Sequence, residues 1–365
     1  MVRSGLGLAI LCFRSPTVAT VAQLSAAAAA PIGRALLFVF LSISVQTFSQ
    51  NSFSFLNIAN NARVNGLGGI NVSLTDNDIN LFSFNPALLD SANAGQIGLN
   101  FSPYLASSKF LTLNYSPKFL QKSKEGNWAV SLQNLSYGTF QGTDAVGNLT
   151  NEFSANDFSL GLTYSRRVNH ISFGITSKVV ASVLENYGSV AFLTDWGGTF
   201  KHPEHDLSIG VVAKNIGYVL KTIGAFRPDV PFDLQLGASF KPKYMPVRFS
   251  LTGHHLYVFD IAYNDPAFNF TFDEQGNKIP KKISTADKIS RHFILSTEIL
   301  IHKNFNVLLG YNFLRRKELL INGLGGAAGL SFGANLRLKK LDFSISHSIF
   351  TSPKGQTSFT LNWRR

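Results

Sequence analysis

The chain of 365 residues holds a single cysteine, Cys12. Without a second thiol it can form neither an internal disulfide nor a thiolate metal site. The bulky Leu11 before Cys12 also argues against a lipid-modified cysteine. Charge is scarce: 15% of residues are charged against 45% hydrophobic, with 32 Phe. That is Phe-rich and charge-poor for a soluble domain. Long apolar runs are missing too, since nothing beyond residue 50 approaches the roughly 20 residues of a membrane helix. Apolar content without apolar runs fits a membrane β-barrel, whose signal is spread over many segments of about ten residues. Acids are the scarcer sign, 21 against 33 basic residues, for a formal charge of +12. Residues 1–49 contribute Arg3, Arg14 and Arg34 and no acid, which leaves +9 on the remainder. Such a balance suits an anionic glycolipid or an acidic partner, and equally a set of solvated basic turns. An exported chain is a poor candidate for nucleic acid, and none is expected as a partner.

The N-terminus has the pattern of an export signal. Arg34 precedes the apolar run 35–41, and Thr47-Phe48-Ser49 offers small residues at −3 and −1, so cleavage is expected before Gln50. Residues 1–33 form a long preamble with an apolar stretch at 6–13 and an alanine run at 26–30. An anchor helix near 35–46 would be too short to span comfortably.

What the rest of the chain has is alternation. Leu341, Phe343, Ile345 and Ile349 interleave with Asp342, Ser344, Ser346 and Ser348, and Phe359, Leu361 and Trp363 interleave with Ser358, Thr360 and Asn362. Phe158, Leu160, Leu162 and Tyr164 oppose Ser159, Gly161, Thr163 and Ser165 in the same way. Successive strand side chains point to opposite faces, so one face is greasy and the other small and polar. Fourteen such segments can be placed, near 96–104, 109–117, 127–137, 155–167, 170–184, 188–200, 206–216, 232–241, 247–258, 291–302, 305–315, 326–338, 341–350 and 355–364. The connections after segments 4, 6, 10 and 12 are short, while 138–154, 217–231 and 259–290 are long. Long and short connections thus fall on opposite rims, as in a barrel with short periplasmic turns and longer outer loops. A soluble sandwich would not require that segregation. The expected fold is all-β: a 14-stranded antiparallel transmembrane outer-membrane β-barrel, preceded by an N-terminal plug. Residues 1–49 are read as extension and signal peptide, 50–95 as plug and 96–365 as barrel.

Residues 51–95 are rich in Asn and Gly and alternate weakly. Leu67, Leu74, Leu81, Phe82, Phe84 and Leu88 would be poorly tolerated in a free tail. A barrel of this size has an interior too wide for side chains alone to fill. The segment is therefore expected to fold into the lumen. Here the chain resembles a known family. Ala62-Arg63-x-x-Gly66-Leu67-Gly68-Gly69 followed by Asn85-Pro86-Ala87-Leu88-Leu89 is similar to the N-terminal signature of FadL-like outer-membrane barrels. Further stretches resemble the PorV/PorQ branch of the Bacteroidetes type IX secretion system, and PorQ-like barrels in particular. These are Tyr137–Asp144, Gly147–Ala155, Lys214-Asn215-Ile216-Gly217, Pro231-Phe232-Asp233-x-Gln235-Leu236-Gly237 and His254-His255-Leu256. The resemblance runs from about residue 52 to the end. It implies a 14-stranded barrel with an N-terminal hatch. It also implies a place in the attachment complex, where such barrels hold a PorZ-like surface protein and cargo is anchored to lipopolysaccharide. The ending departs from the pattern, because Arg364-Arg365 follow Trp363 where an aromatic residue usually closes the barrel.

No constellation for catalysis is visible: no Gly-x-Ser-x-Gly elbow, no His-Glu-x-x-His and no phosphate loop. The chain is not expected to be an enzyme or to carry a cofactor or metal. His202 and His205 fall in a tight turn and read as solvated. His254 and His255, taken as strand neighbours, should point to opposite faces. Outer loop 259–290 offers Tyr263, Phe268, Phe270 and Phe272 beside Lys278, Lys281, Lys282 and Lys288. Aromatic anchors next to lysine suit a protein or an anionic sugar. Loop 138–154 adds Phe140 and Phe153. Two functions remain open. One is a scaffold that holds a surface complex. The other is a FadL-like transporter of hydrophobic small molecules whose hatch carries the motif residues Arg63, Gly66, Gly68, Gly69, Asn85 and Pro86. The transporter needs a greasy route, whereas the inward faces are mostly Ser, Thr, Gly and Asn.

Overall fold

The computed structural model describes residues 53–120, 126–144, 146–222, 229–263, 270–272, 275, 277–280, 282–319, 326–351 and 354–364. The expected export signal, and with it Phe268 and Lys281, lie outside the described residues. The alternating segments form one closed antiparallel barrel of fourteen strands. They are β1 (Ile97–Pro103), β2 (Lys109–Tyr115), β3 (Asn127–Thr143), β4 (Leu149–Val168), β5 (Ile171–Leu184), β6 (Tyr187–Lys201), β7 (Leu207–Lys221), β8 (Asp233–Phe240) and β9 (Val247–Gly253). A small outer hairpin, β10 (Phe270–Phe272) and β11 (Lys278–Pro280), interrupts the series. Then come β12 (Phe293–His302), β13 (Phe305–Asn312), β14 (Leu330–Arg337), β15 (Leu341–Thr351) and β16 (Lys354–Trp363). The first and last strands close the wall, with Ile97 opposite Trp363. Closure leaves the barrel wall no free edge, which a lipid core demands.

The facing follows the alternation. Leu160 is 56% exposed and its neighbour Ser159 is 3% exposed. Leu113, Phe173, Phe249, Leu295, Phe332, Phe343 and Leu361 are likewise exposed, forming the lipid-facing surface of an outer-membrane barrel. Trp128 packs on Tyr164 at the periplasmic end, with ring centroids 4.9 Å apart, as part of the aromatic belt there.

Several boundaries move. The loop read at 138–154 is mostly strand: β3 and β4 pair as far as Thr143 and Leu149. Strands β3 to β7 run 14–20 residues, beyond the 9–11 that cross a bilayer, and rise as a tall wall on the outer side. The strand read to 258 stops at Gly253, and the one read to 315 stops at Asn312, where a short helix begins. Loop 259–290 carries the small hairpin and a helix, Thr285–Ser290.

Residues 53–96 fold inside the barrel. A helix at Ala62–Gly66, which we call α1, is capped by Asn61, whose side chain accepts from the Val64 N–H. Short 3-10 turns at Ile79–Ser83, Pro86–Leu88 and Ser91–Asn93 are opened by Asp78, Asn85 and Asp90 in the same manner. The plug has an apolar centre of Val64, Leu67, Leu74, Leu81, Phe84 and Leu88, which meets the wall at Leu308. Phe53 and Phe55 pack against Phe110, Leu135, Leu193 and Val219, all on outer halves of their strands. Arg167 pairs with Asp90 beside the periplasmic turn at 169–170. The described chain therefore starts in the outer half of the lumen and descends to the periplasmic rim before entering β1.

Candidate functional site

Besides its apolar packing, the plug meets the wall through an ion network and through close backbone approach. The first is a buried ion network. Arg63 on α1 is 1% exposed and reaches across to Glu298 on β12, with Nη2 2.9 Å from Oε1. Arg63 also pairs with Asp76 of the plug. Arg248 on β9 completes the network, 2.8 Å from Asp76 and 2.9 Å from Glu298. Burial alone would raise the Asp76 carboxyl, but Arg63 and Arg248 hold it well below the usual carboxylate range. A depressed folded value stabilises above the unfolded pKa of about 4, and that contribution is lost as pH falls toward the folded value.

The second contact is a set of wall glycines. A Cβ on Gly174 would fall into the backbone of Pro86 and Ala87, and one on Gly210 into the Val72 carbonyl. Asn85 sits between, donating from Nδ2 to Val72 O at 2.9 Å and accepting the Ala87 N–H at 3.0 Å. The motif residues Asn85 and Pro86 are thus where the plug backbone lies flat on the sheet. Gly68 has φ +93°, and a Cβ there would lie 2.5 Å from Ile294. Gly66 sits beside Ser346 and Leu308, and Gly69 under Arg315. We expect Gly210→Val to displace the plug while leaving the fourteen strands paired. Limited proteolysis should then cut within 53–95, and the heat-shifted gel band of a folded barrel should persist.

Between plug and wall lies a cavity of about 190 Å³. The plug gives it an apolar side, Leu56, Ile58, Ile70, Phe82 and Phe84, broken by Asn57, Asn60 and Ser83. Its wall is polar and comes from the strands: Ser159, Lys178, Asp195, Lys214, Asp233 and Gln235. A short helix, Phe313–Glu318, brings Leu314 and Arg315 to it. The wall is irregular here. The β6–β7 register shifts between Thr194 and Trp196, and Asn215 takes φ +59°. That bulge turns Asn215 inward, where Lys178 donates to its Oδ1 at 2.6 Å and Asp195 accepts its N–H at 2.7 Å. Lys178 also pairs with Asp195 at 2.8 Å.

His254 and His255 follow β9 rather than lying in it. His255 has φ +53°, which bends the chain and brings both rings to one side, Nδ1 to Nδ1 at 2.6 Å. The expected opposite facing is therefore corrected. Burial first, then the neighbouring His255 and His292, push His254 down to about 3, so it is neutral at ordinary pH. Asp233 accepts the His255 N–H at 2.6 Å.

The loop residues do not join this site. Phe140 and Phe153 stack on each other across β3 and β4, centroids 5.6 Å apart, on the tall outer wall. Tyr263 is 74% exposed. Phe270 lies against Phe272 and under Lys278, whose Nζ is 4.5 Å from the ring centroid. Lys282 is exposed. His202 and His205 stack in the periplasmic turn.

No family model matches the chain, and no curated protein does. Among solved structures, a mutant of TodX, a monoaromatic hydrocarbon channel, aligns over 84% of this chain and 97% of its own at 14% identity, with a TM-score of 0.49. TbuX, the Ralstonia pickettii toluene transporter, aligns over 85% of this chain and 98% of its own at 10% identity and 0.49. LpxR from Salmonella typhimurium aligns over 74% of this chain and all of its own at 10% identity and 0.31. The fourteen strands and the folded-in N-terminal segment are the architecture that the FadL-like resemblance implies.

Sequence reasoning missed Glu298, Arg248, Lys178 and Asp195. Each is a charge at an inward position of an otherwise small and polar face, and that signal was available.

Proposed function

We propose that the protein is a plug-gated outer-membrane passage for small molecules that have both a polar and an apolar side. The cavity between plug and wall carries this reading: its plug side is mostly greasy and its wall side polar. Pockets of such mixed lining are the usual form of small-molecule sites. It favours the transporter over a sealed scaffold, and it replaces the wholly hydrophobic route with a two-sided one.

The plug would have to shift for anything to pass. Ser73 of the plug and Ser239 of β8 have their Oγ atoms 2.8 Å apart. No cysteine follows Cys12, so Ser73→Cys with Ser239→Cys would place a single disulfide between plug and wall. Oxidation of that pair should stop solute entry into vesicles carrying the barrel, and reduction should restore it. Entry that is indifferent to oxidation would remove the plug from the gating role.

A second reading draws on the tall wall formed by β3 to β7 and the stacked Phe140 and Phe153 at its outer part. It is the attachment-complex role of PorQ-like barrels, with a PorZ-like protein held at the surface near lipopolysaccharide. Rigid aromatic anchors suit such contacts. A surface protein that co-purifies from native outer membrane, and is lost on removing residues 140–153, would support it.

A further inference from the structure

Three motifs that the barrel fold does not by itself require converge on the lumen cavity. Lys214 and Asn215, then Asp233 and Gln235, then His254 and His255 all stand in or beside its wall. Their charges do not balance. Lys178 is matched by Asp195, and Asp233 is engaged by the Gln235 amide at 2.6 Å and by the His255 N–H. Lys214, 8% exposed, bonds the Ser83 carbonyl at 3.1 Å and lies over the Phe84 ring; Asp195 and Asp233 stand near enough to be felt but not at ion-pair distance, and each is already engaged elsewhere. Arg315 lies over the Phe350 ring, and its Nη1 has no hydrogen-bond partner. Among the described residues neither cation makes an ion pair. A buried cation without a counter-charge is costly, and the cost is relieved by an anion brought from outside. Polar atoms at the same cavity also stand unpaired: His254 Nε2, Gln235 Oε1 and Asn60 Oδ1, on residues 1–5% exposed.

We propose that this cavity is a binding site for a compact, hydroxylated organic oxyanion. Lys214 and Arg315 face the anionic group, and His254, Gln235 and Asn60 take the hydroxyls. At about 190 Å³ the space equals about six waters of roughly 30 Å³ each, which excludes a long acyl chain. A small sugar acid or a polyol phosphate is the matching size and chemistry. The proposal rests on the passage reading only in treating the cavity as reachable from outside.

The test is calorimetric titration of the full-length barrel in detergent with gluconate and with glycerol 3-phosphate, glucose serving as the uncharged control. Saturable binding of at least one anion is expected, with glucose about tenfold weaker or undetectable. The two anions tell a carboxylate site from a phosphate site. Lys214→Met and Arg315→Met should each weaken binding about tenfold or more. Lys282→Met, on an exposed loop, should not. Thermal unfolding of the empty Lys214→Met barrel should not fall, because an unmatched charge has been removed; a merely structural lysine would destabilise when lost. Failure of both anions to bind the wild type overturns the proposal, as does equal binding of glucose, whether or not the variants fold. Binding without vesicle entry of the anion would uphold this site as a binding site and show that the anion itself is not passed. Entry blocked by the Ser73–Ser239 disulfide, without anion binding, would uphold passage and overturn this site.

Discussion

Replacing Arg63 by methionine should destabilise the folded protein by about 3–5 kcal/mol, because it strands buried partners. Glu298 is 1% exposed and would keep only a long bond from the Asn306 amide, 3.5 Å, and Arg248, which it shares with Asp76. Removing one member of a buried network costs more than removing a matched pair. The double variant Arg63→Met, Glu298→Met should therefore recover much of the loss. It leaves Asp76 with Arg248, while Asp78 keeps its bonds from Asn80 and Asn362. Denaturant unfolding in detergent gives the two free energies, and protease access to 53–95 reports whether the plug has left. Additive losses would show that Arg63 and Glu298 are not coupled.

Leu160→Arg should cost about 2–4 kcal/mol if the position lies near mid-bilayer, and should impair insertion into membranes. Its side chain is 56% exposed on the lipid-facing surface, eight residues before β4 ends at Val168. Ser159→Arg should assemble more readily, because that side chain points into the lumen cavity. Folded yield in lipid vesicles, scored by the heat-shifted gel band, compares them directly. Equal yields would mean that the facing is inverted or the strand displaced.

The strands were legible because their cause is local. A tilted strand between lipid and lumen writes its two environments into a period of two, so Leu160 and Ser159 can be told apart without knowing what they touch. The segregation of loop lengths added the closed barrel, and apolar residues such as Leu67 and Phe84 in an Asn/Gly-rich stretch gave the plug. The site was not legible for the opposite reason. Arg63 meets Glu298 across 235 residues, and nothing near either one announces the other. Glycines such as Gly174 read as small lumen residues, when their role is to let the Pro86 backbone lie against the sheet. His254 and His255 were misjudged because one left-handed residue overturns a strand rule, and no neighbour in sequence signals it. The rise of β3 and β4 to Thr143 and Leu149 was hidden by a Gly/Thr/Asn composition that reads as loop.

The position of the plug bears on how the protein is made. Phe53 and Phe55 already sit in the outer half of the lumen, and Ala62 N–H donates to Thr360 Oγ1, 298 residues later. The seam that closes the wall joins β1 to β16, so it can form only after the final strand has emerged. Contacts of such sequence separation are slow to form, because loop-closure entropy is lost before they are gained. Threading a finished cylinder would drag Arg63, Asp76 and the helix caps through a completed lumen. Wrapping an open sheet around a plug already lying on Gly174 and Gly210 avoids this. In that order of events the N-terminal segment is a mandrel: it sets the curvature on which the last strands arrive, and a barrel deprived of it should close slowly or to the wrong seam.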